Sequence, residues 1–412
     1  MTAVTYLPRT QRYSRSRDTR GLPHIAVSIA ATAGAMTGLW PSGLPRSAVV
    51  SGLLTAAIVA IATVIALVAT RHRRVRPPVA AAGLFIFAGA LTVLGILSVS
   101  WQKALRTDLG APQVGVEWMM ISLTPAAVAF GAIVFVPRVT ALVVATAAAL
   151  MAGYLPAATA DDTGAGPRTP AGVVYAPQDG RSLAVRSQAL AQRWADDGGL
   201  DRRAVVIAVP TGSGWVDPAA VNGYTDRFHG DVSVIALQYA HEPSWQAFIG
   251  DRSGAGRSAT AVLDEVIAQV ETRGAAPRPE IHLYGQSLGA LGADAAREWA
   301  DRTHPGAVAD TVLAGVPGDS VAPGPGPGSP RTVLANASDP VARWSWSLLW
   351  RPASPPQDTT VVGREVRRPP WLPIVGFVQT STDLLTSLDG PAGVGHRYGP
   401  EQAHSMGPRA AS

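Results

Sequence analysis

Five apolar stretches without a charged side chain follow one another in the first 160 residues, and they restrict the fold more than any other feature. A helix that crosses a bilayer needs ~20 apolar residues, and most of the stretches reach that length. Five in series, separated by charged residues, are typical of membrane helices rather than of a soluble core. We therefore predict a transmembrane domain over residues 25–160, with helices at 25–40, 47–70, 77–102, 118–137 and 139–160.

Charge is distributed unevenly between the two halves of the chain. The whole chain carries 34 Lys and Arg against 29 Asp and Glu, a net charge of +5. Residues 1–160 hold 13 basic and 3 acidic side chains, a net charge of +10, so residues 161–412 hold the other 21 and 26, a net charge of −5. Basic residues beside apolar helices set membrane orientation, so we expect the lipid bilayer, and no nucleic acid, as the partner of the basic half.

Two basic segments predict the orientation of these helices. The N-terminal segment, 1–24, contains five arginines, and the segment 71–76 contains four. Both are therefore expected on the cytoplasmic side of the plasma membrane, and five crossings then place residue 161 onward outside. The connection at Pro137 and Arg138 is short for a hairpin. If 118–160 crosses only once, the second half of the chain lies inside instead.

The second half of the chain is predicted to be an α/β domain over residues 172–412, after a linker at 161–171 that is rich in Thr, Gly, Pro and Asp. Short apolar runs alternate there with amphipathic segments, which predicts a mostly parallel sheet covered by helices on both faces. The predicted strands are 173–175, 204–209, 232–237, 280–284, 311–314 and 332–335, and the predicted helices are 181–195, 257–272 and 288–302. The chain has no cysteine, which excludes disulfides, thiolate metal sites and a cysteine nucleophile.

Gly285-Gln-Ser287-Leu-Gly289 lies between a predicted strand and a predicted helix. A Gly-x-Ser-x-Gly match alone is weak, but this strand–turn–helix context is the one in which such a serine acts as a nucleophile. The glycines allow the sharp turn, and the helix N-terminus behind Ser287 favours developing negative charge. We interpret Ser287 as a candidate nucleophile, against the simpler reading of a Gly-Ser turn.

A nucleophilic serine in this context needs an acid and then a histidine, in that order along the chain. Asp339 follows the predicted strand 332–335 and is our candidate acid, with Asp319 and Asp310 as substitutes. His396 lies in a glycine-rich loop near the C-terminus and is our candidate base. The other histidines considered are His404, His241, His304 and His282.

An oxyanion formed during acyl transfer needs two backbone N–H donors. One is expected from Leu288, directly after the candidate nucleophile, and the other from the glycine-rich loop at Thr211 and Gly212. No Gly-Lys-Ser/Thr follows that loop, so a phosphate-binding P-loop is excluded. Nothing in the sequence implies a cofactor or a metal ion.

Four tryptophans lie close together in the sequence after the candidate acid: Trp344, Trp346, Trp350 and Trp371. Three interpretations stay open for this cluster: it lines an apolar pocket, it contacts the lipid surface, or it packs in the core.

Several motifs along nearly the whole chain resemble those of the membrane-bound α/β-hydrolase family of actinobacteria, in which a multi-helix membrane domain precedes a hydrolase domain. The motifs that carry the resemblance are Leu39–Arg46, Pro210–Pro218, Ala236–Tyr239, Pro243–Trp245, Gly285–Gly289, Ala337–Pro340 and Gly395–Gly399. The resemblance implies an α/β-hydrolase fold, and it places the family's proposed catalytic Ser, Asp and His on Ser287, Asp339 and His396. Asp217 and Tyr239 also match, without an assignable role.

The leading functional hypothesis is a membrane-tethered serine hydrolase, esterase- or lipase-like, that cleaves an acyl ester through a Ser-Asp-His triad and a covalent acyl-enzyme. The expected substrate is an ester or other acyl compound, with lipid-like esters among the candidates. Two alternatives stay open. One is an acyltransferase that uses the same triad, and the other is a catalytically silent hydrolase fold that serves as a membrane interaction protein.

Overall fold

The computed structural model describes residues 22–73, 76–138, 140, 172–211, 214–240, 252–322, 328–352, 355–356 and 358–404. The predicted fifth apolar stretch, 139–160, lies outside these ranges apart from residue 140, and the predicted linker, 161–171, lies outside them entirely. Gly212 and His241 also fall outside. The chain divides into two compact units.

The first compact unit consists of apolar helices. It contains α1 (Ile25–Gly38), α2 (Ala48–Thr70), α4 (Val116–Phe135) and the part of α3 (Pro77–Leu109) that ends at residue 99. In the described part of the chain, α2, α3 and α4 are the helices that are long and apolar enough to cross a membrane, whereas α1 has 14 residues. The prediction of apolar helices ahead of an α/β domain is therefore confirmed, with helix ends that differ from the predicted ones.

Small residues bring α1 and α2 close together. A Cβ atom at Gly38 would lie 2.6 Å from the Cα atom of Thr55, and one at Gly34 would lie 3.1 Å from the Cα atom of Val59. Such contacts replace the hydrophobic effect as the source of helix association in an apolar solvent, because backbones that approach closely gain van der Waals contact.

The second compact unit holds a seven-stranded sheet and also contains two short segments from earlier in the chain, 40–46 and 100–114. All neighbouring strands are parallel, in the order β1-β3-β2-β4-β5-β6-β7. The strands are β1 (Val173–Ala176), β2 (Ala204–Val209), β3 (Val232–Leu237), β4 (Glu280–Gln286), β5 (Val308–Ala314), β6 (Arg331–Asn336) and β7 (Thr359–Val362). The predicted parallel sheet is confirmed.

Helices cover both faces of the sheet. One face packs in a buried cluster with α5 (Leu183–Asp196), α7 (Ser253–Glu271) and α8 (Leu288–Thr303). The other face packs against α6 (Pro218–Arg227) and against the C-terminal residues Tyr398 and Ala403. A strand that is covered on both faces is expected to be apolar throughout. All six residues of β2 are apolar, and all six are buried.

Several elements of this unit were not predicted from the sequence, among them β7, α6 and α9. The strand β7 lies at the edge of the sheet, and its residues are exposed or half-buried, so no apolar run marks it. The helix α6 begins at a proline and contains Asn222 and Gly223, which are typical of turns. The helix α9 (Val375–Leu384) follows a proline-rich segment. In addition, α3 extends to Leu109 rather than ending at residue 102.

A buried ion pair joins the segment 40–46 to α9 within the second unit. Arg46 is 2% exposed, and its guanidinium donates to Asp383 Oδ1 from Nε at 3.0 Å and from Nη2 at 2.8 Å. It also donates to the side-chain and backbone oxygens of Gln379. The second oxygen of Asp383 accepts from the backbone N–H of Gly43 at 2.7 Å. Both charges are therefore paired and hydrogen-bonded, as burial requires.

Residues at the end of α3 complete this cluster. The Gln102 side chain accepts from the backbone N–H of Arg46 at 3.2 Å and donates to Ser42 Oγ at 2.8 Å. Arg106 donates to the backbone carbonyl of Arg46 at 2.8 Å. The segment 100–114 is thus tied to the segment 40–46, which is itself bonded to α9.

Replacing Arg46 by glutamine should destabilise the second unit strongly. The change leaves the buried carboxylate of Asp383 without its cation, and breaking a buried ion pair in this way costs ~3–5 kcal/mol. We expect the purified full chain in detergent to unfold at a clearly lower denaturant concentration. The control is Arg181→Gln, which breaks an exposed pair with Asp179 and should leave the unfolding curve unchanged. Coincident curves for Arg46→Gln and wild type would contradict this account.

Candidate active site

Ser287 stands at the turn between β4 and α8, with φ 57° and ψ −124°. A residue other than glycine is strained in this region, by ~1–3 kcal/mol. The Ser287 N–H donates to the carbonyl of Ala314 at 2.9 Å, which fixes the turn to β5. Cβ atoms at Gly285 and Gly289 would each lie 2.2 Å from a backbone carbonyl oxygen. Both glycines are therefore required by the close approach of the backbone.

Asp339 lies on the turn that follows β6 and is fully buried. Its Oδ1 accepts from the backbone N–H of Val341 at 2.8 Å. Its Oδ2 accepts from the Tyr398 hydroxyl at 2.5 Å and lies 2.8 Å from His396 Nδ1. With the carboxylate ionised, Nδ1 is the donor in this contact, and Nε2 of the same ring is left as an acceptor.

His396 is 7% exposed, and its Nε2 is a buried atom that has no hydrogen-bond partner within the described ranges. Its backbone N–H donates to the carbonyl of Ser387 at 2.7 Å, and its carbonyl accepts from the Gln286 side chain at 3.0 Å. A Cβ at Gly315, which has φ 58°, would lie 2.4 Å from the His396 ring. The ring therefore occupies a place that only glycine leaves open.

Residues that the sequence analysis left without a role hold this histidine loop. The Asn336 side chain donates to the carbonyls of Gly395 and Arg397, at 3.0 and 2.9 Å. Ser338 Oγ accepts from the N–H of Gly395 at 2.8 Å. Burial, and then the charge of Asp339, raise the pKa of Tyr398 well above its usual value, so its phenol stays a donor. The sequence offered one indication of this role, because Tyr398 and Asn336 each lie within a few residues of a candidate triad member.

One cavity of about 1030 Å³ contains Ser287 and His396 among its lining residues. Leu288, Thr211 and Tyr398 line it as well. The candidate nucleophile and the candidate base therefore line one cavity. A cavity of this size lies at the upper end of the ~300–1,000 Å³ typical of small-molecule sites.

Comparison with known proteins identifies the family. A family profile described as "Alpha/beta-hydrolase family" matches residues 171–323 and 326–407, which is more than half of the chain. The chain belongs to this α/β-hydrolase family. None of the curated proteins matches it. One solved structure, described as "RedJ with PEG molecule bound in the active site", is 16% identical, covers 34% of this chain and 76% of its own, and has a TM-score of 0.25.

The other acids considered for this α/β-hydrolase lie away from His396. Asp319 accepts from Ser347 Oγ at 2.7 Å and from Arg351 at 3.3 Å, and these bonds lower its pKa. Asp310 is buried within β5, where its Oδ1 accepts from the N–H of Thr311 at 2.7 Å. Neither contact involves the histidine, whereas Asp339 touches its ring.

The remaining histidines have other surroundings. His282 is buried in β4, with its ring against Phe228, and His304 follows the end of α8 with its ring near Trp299. His404 is the last residue of the short helix α10 (Glu401–His404).

The predicted oxyanion donors differ in whether their backbone N–H group already donates a hydrogen bond. Leu288 is the first residue of α8, where the N–H groups have no partner within the helix. The Thr211 N–H donates to the carbonyl of Trp215 at 3.0 Å, so that donor is already engaged within its own loop. Gly212 lies outside the described residues.

Across the part of the chain that is described, no group of three His, Asp or Glu side chains is arranged to hold a metal ion.

Replacing Asp310 by asparagine should stabilise the protein at neutral and higher pH. Burial raises the pKa of Asp310 from 3.8 to about 6. The folded state therefore binds this proton more tightly than the unfolded chain, and stability falls as the pH rises from about 4 to about 6, by at most on the order of 3 kcal/mol. Asparagine still accepts from Thr311 but carries no charge. We expect the melting temperature of the variant to exceed that of wild type at pH 8, and the difference to vanish near pH 4. An equal difference at both pH values would contradict this assignment.

Proposed function

We propose that the protein is a membrane-tethered serine hydrolase that cleaves an acyl ester through Ser287, His396 and Asp339. One observation carries the proposal: His396 contacts the buried Asp339 carboxylate through Nδ1, its Nε2 has no partner in the described residues, and the residue lines the same cavity as Ser287. This is the arrangement that makes a neutral imidazole a general base. The strained turn at Ser287 supports the same role.

The proposed reaction assigns one role to each of these three residues. Ser287 Oγ attacks the ester carbonyl carbon while His396 Nε2 takes the hydroxyl proton. Asp339 holds the ring in the tautomer that accepts at Nε2, and then stabilises the imidazolium. The alcohol leaves with the proton from His396, and the acyl group stays on Ser287. Water then attacks the carbonyl carbon of the acyl-enzyme while His396 takes its proton. His396 passes that proton to Ser287 Oγ as the acid leaves, which restores the serine.

The charge that develops on the ester oxygen is stabilised by backbone donors. Leu288 N–H, at the start of α8, is the first donor, and the partial positive charge of the helix N-terminus adds to it. Because the Thr211 N–H is engaged, Gly212 is the better candidate for the second donor. The predicted use of Thr211 and Gly212 stays a prediction.

The contacts of the second unit also support an outer location for the hydrolase domain. The segments 40–46 and 100–114 belong to the unit of the hydrolase domain, and α2, the basic segment 71–76 and α3 lie between them in the chain. If α2 and α3 both cross the membrane, the segments 40–46 and 100–114 emerge on one side and the basic segment 71–76 on the other. Basic loops face the cytoplasm, so the domain faces outside the plasma membrane. One further crossing is then needed after α4, and 139–160 is the apolar stretch for it.

Substitutions of the triad should separate its three roles. Ser287→Ala should abolish labelling by a fluorophosphonate and hydrolysis of p-nitrophenyl esters. His396→Ala should suppress both strongly, and Asp339→Asn should lower turnover by up to ~10⁴-fold, because the histidine loses its orienting carboxylate. The measurements are initial rates and mass spectrometry of the labelled peptide, with purified full chain in detergent.

Two control variants test whether these losses are specific. His304→Ala and Asp319→Asn change the same residue types away from the cavity, and both should keep near wild-type rates. An adduct on a residue other than Ser287 would overturn the assignment of the nucleophile. Folded wild-type protein that neither labels nor hydrolyses any ester would instead favour a silent hydrolase fold. Transfer of the acyl group to an added alcohol in preference to water would favour an acyltransferase.

The absence of cysteine allows a direct test of the topology. Single cysteines are introduced at the exposed positions Gln113, Arg202 and His72. We expect a membrane-impermeant maleimide to label Gln113→Cys and Arg202→Cys in intact cells, because both belong to the unit of the hydrolase domain. His72→Cys lies in the basic segment and should label only after permeabilisation. Labelling of positions 72 and 202 from the same side would contradict the proposed crossings.

A further inference from the structure

The cavity beside Ser287 has an apolar wall built from several separate segments. Six of its lining side chains are large or apolar and come from the loop before α6, the turn after β5, the segment after Asp339, and the end of α9 with the turn beyond it. They are Trp215, Pro317, Val341, Trp344, Leu384 and Leu388. The apolar character of the wall therefore does not come from a single helix or loop.

Two polar groups at this wall, on Trp344 and Asp217, are already engaged. The Trp344 indole N–H donates to Ser381 Oγ at 2.8 Å, and its ring packs near Trp346 and Phe377. Asp217 also lines the cavity, but its two oxygens accept from the N–H of Ala219 and from the Gln402 side chain, both at 2.9 Å. A ligand along this wall therefore gains little by offering hydrogen bonds.

Charge at the cavity also limits the substrate. Among the described lining residues, Arg397 is the single arginine or lysine, and its guanidinium donates to the carbonyl of Gly390 at 3.2 Å. Recognition of a phosphate or sulfate group uses clusters of arginine and lysine or a helix N-terminus directed at the anion. Two helices begin at this cavity, α8 behind Ser287 and α6 at Pro218. The N-terminus of α6 is already capped by the Asp217 carboxylate, which accepts from the N–H of Ala219. The wall itself is thus suited to a neutral group.

Part of this wall is exposed to solvent. Leu388 is 56% exposed, although its side chain lines the cavity. Trp215 is 36% exposed as well. Apolar surface of this kind around a cavity marks a ligand groove, because its burial on binding removes apolar area from water.

We propose, on the basis of the proposed function, that the acyl group of the substrate is a neutral apolar chain of roughly eight to fourteen carbons, and that Trp344, Leu384 and Leu388 bind it. If a methylene occupies about the ~30 Å³ of one water molecule, such a chain fills roughly 240–420 Å³ of the cavity. The rest of the volume is left for the ester and the alcohol. An acetyl group would leave most of the apolar wall in contact with water.

The test compares p-nitrophenyl esters of two, four, eight and twelve carbons, below their micelle concentrations, with full chain in detergent. We expect kcat/KM to rise from the two-carbon to the eight-carbon ester, by up to about fourfold per methylene, which corresponds to ~0.8 kcal/mol for a fully buried methylene. Leu388→Ala should reduce the ratio of the eight-carbon to the two-carbon kcat/KM by about an order of magnitude. Ala392→Trp, which adds bulk inside the cavity, should shift the preference toward short esters.

Leu385→Ala is the matched control, because Leu385 is 76% exposed and does not line the cavity. Its ratio should equal that of wild type. Wild-type protein that prefers the two-carbon ester, with a ratio that Leu388→Ala leaves unchanged, would overturn this inference while leaving the serine hydrolase intact. Absence of both turnover and fluorophosphonate labelling in folded wild type would remove the proposed function itself, and this inference with it.

Discussion

The buried pair between Arg46 and Asp383 is the interaction on which the second compact unit depends. Two charges taken out of water are unfavourable unless each is paired and its remaining donors and acceptors are satisfied. Here the guanidinium bonds to Asp383 and Gln379, and the carboxylate also accepts from the backbone of Gly43. The segment between the first two apolar helices is therefore an integral part of the hydrolase unit.

The same cluster extends to the loop that carries Asp339. Arg343 donates to the carbonyl oxygens of Ala337 and Asp339, at 3.1 and 3.3 Å. Burial lowers the pKa of Arg343, and the charges of Asp383 and Asp339 oppose that effect. Arg343 thus lies between the carboxylate that pairs with Arg46 and the loop of the candidate acid. Side chains of Asn336, Ser338 and Gln286 then hold the backbone around His396. The geometry of the candidate triad is set by hydrogen bonds to backbone atoms as much as by the triad side chains.

Much of the fold could be predicted because burial on two faces leaves a strong mark in the sequence. The strands β2 and β3 have their predicted bounds, since both are mostly apolar runs in which at least half of the residues are β-branched. The edge strand β7 carries no such mark. Ser287 could be predicted as a turn residue between strand and helix because the two glycines of its motif permit a sharp turn at that position. Its role as a nucleophile stays a proposal.

The rest could not be predicted because it depends on contacts between distant residues. Arg46 was named only as the last residue of a motif that carries the family resemblance, since nothing in the sequence distinguishes a buried arginine from a solvated one. The bond from Thr211 N–H to Trp215 is a backbone contact and leaves no trace in residue types. Tyr398 lies two residues after His396, but only the structure places its hydroxyl on Asp339.

The position of Arg46 in the chain has a consequence for biosynthesis. Arg46 and Asp383 are 337 residues apart in sequence, so the arginine is synthesised long before its partner. At ~5–20 residues per second, the interval is roughly 17–70 s. Over that time the segment 40–46 has no Asp383 to pair with. Completion of the α/β-hydrolase domain is therefore a late, long-range step, and a chain whose synthesis stops before α9 lacks the partner of Arg46.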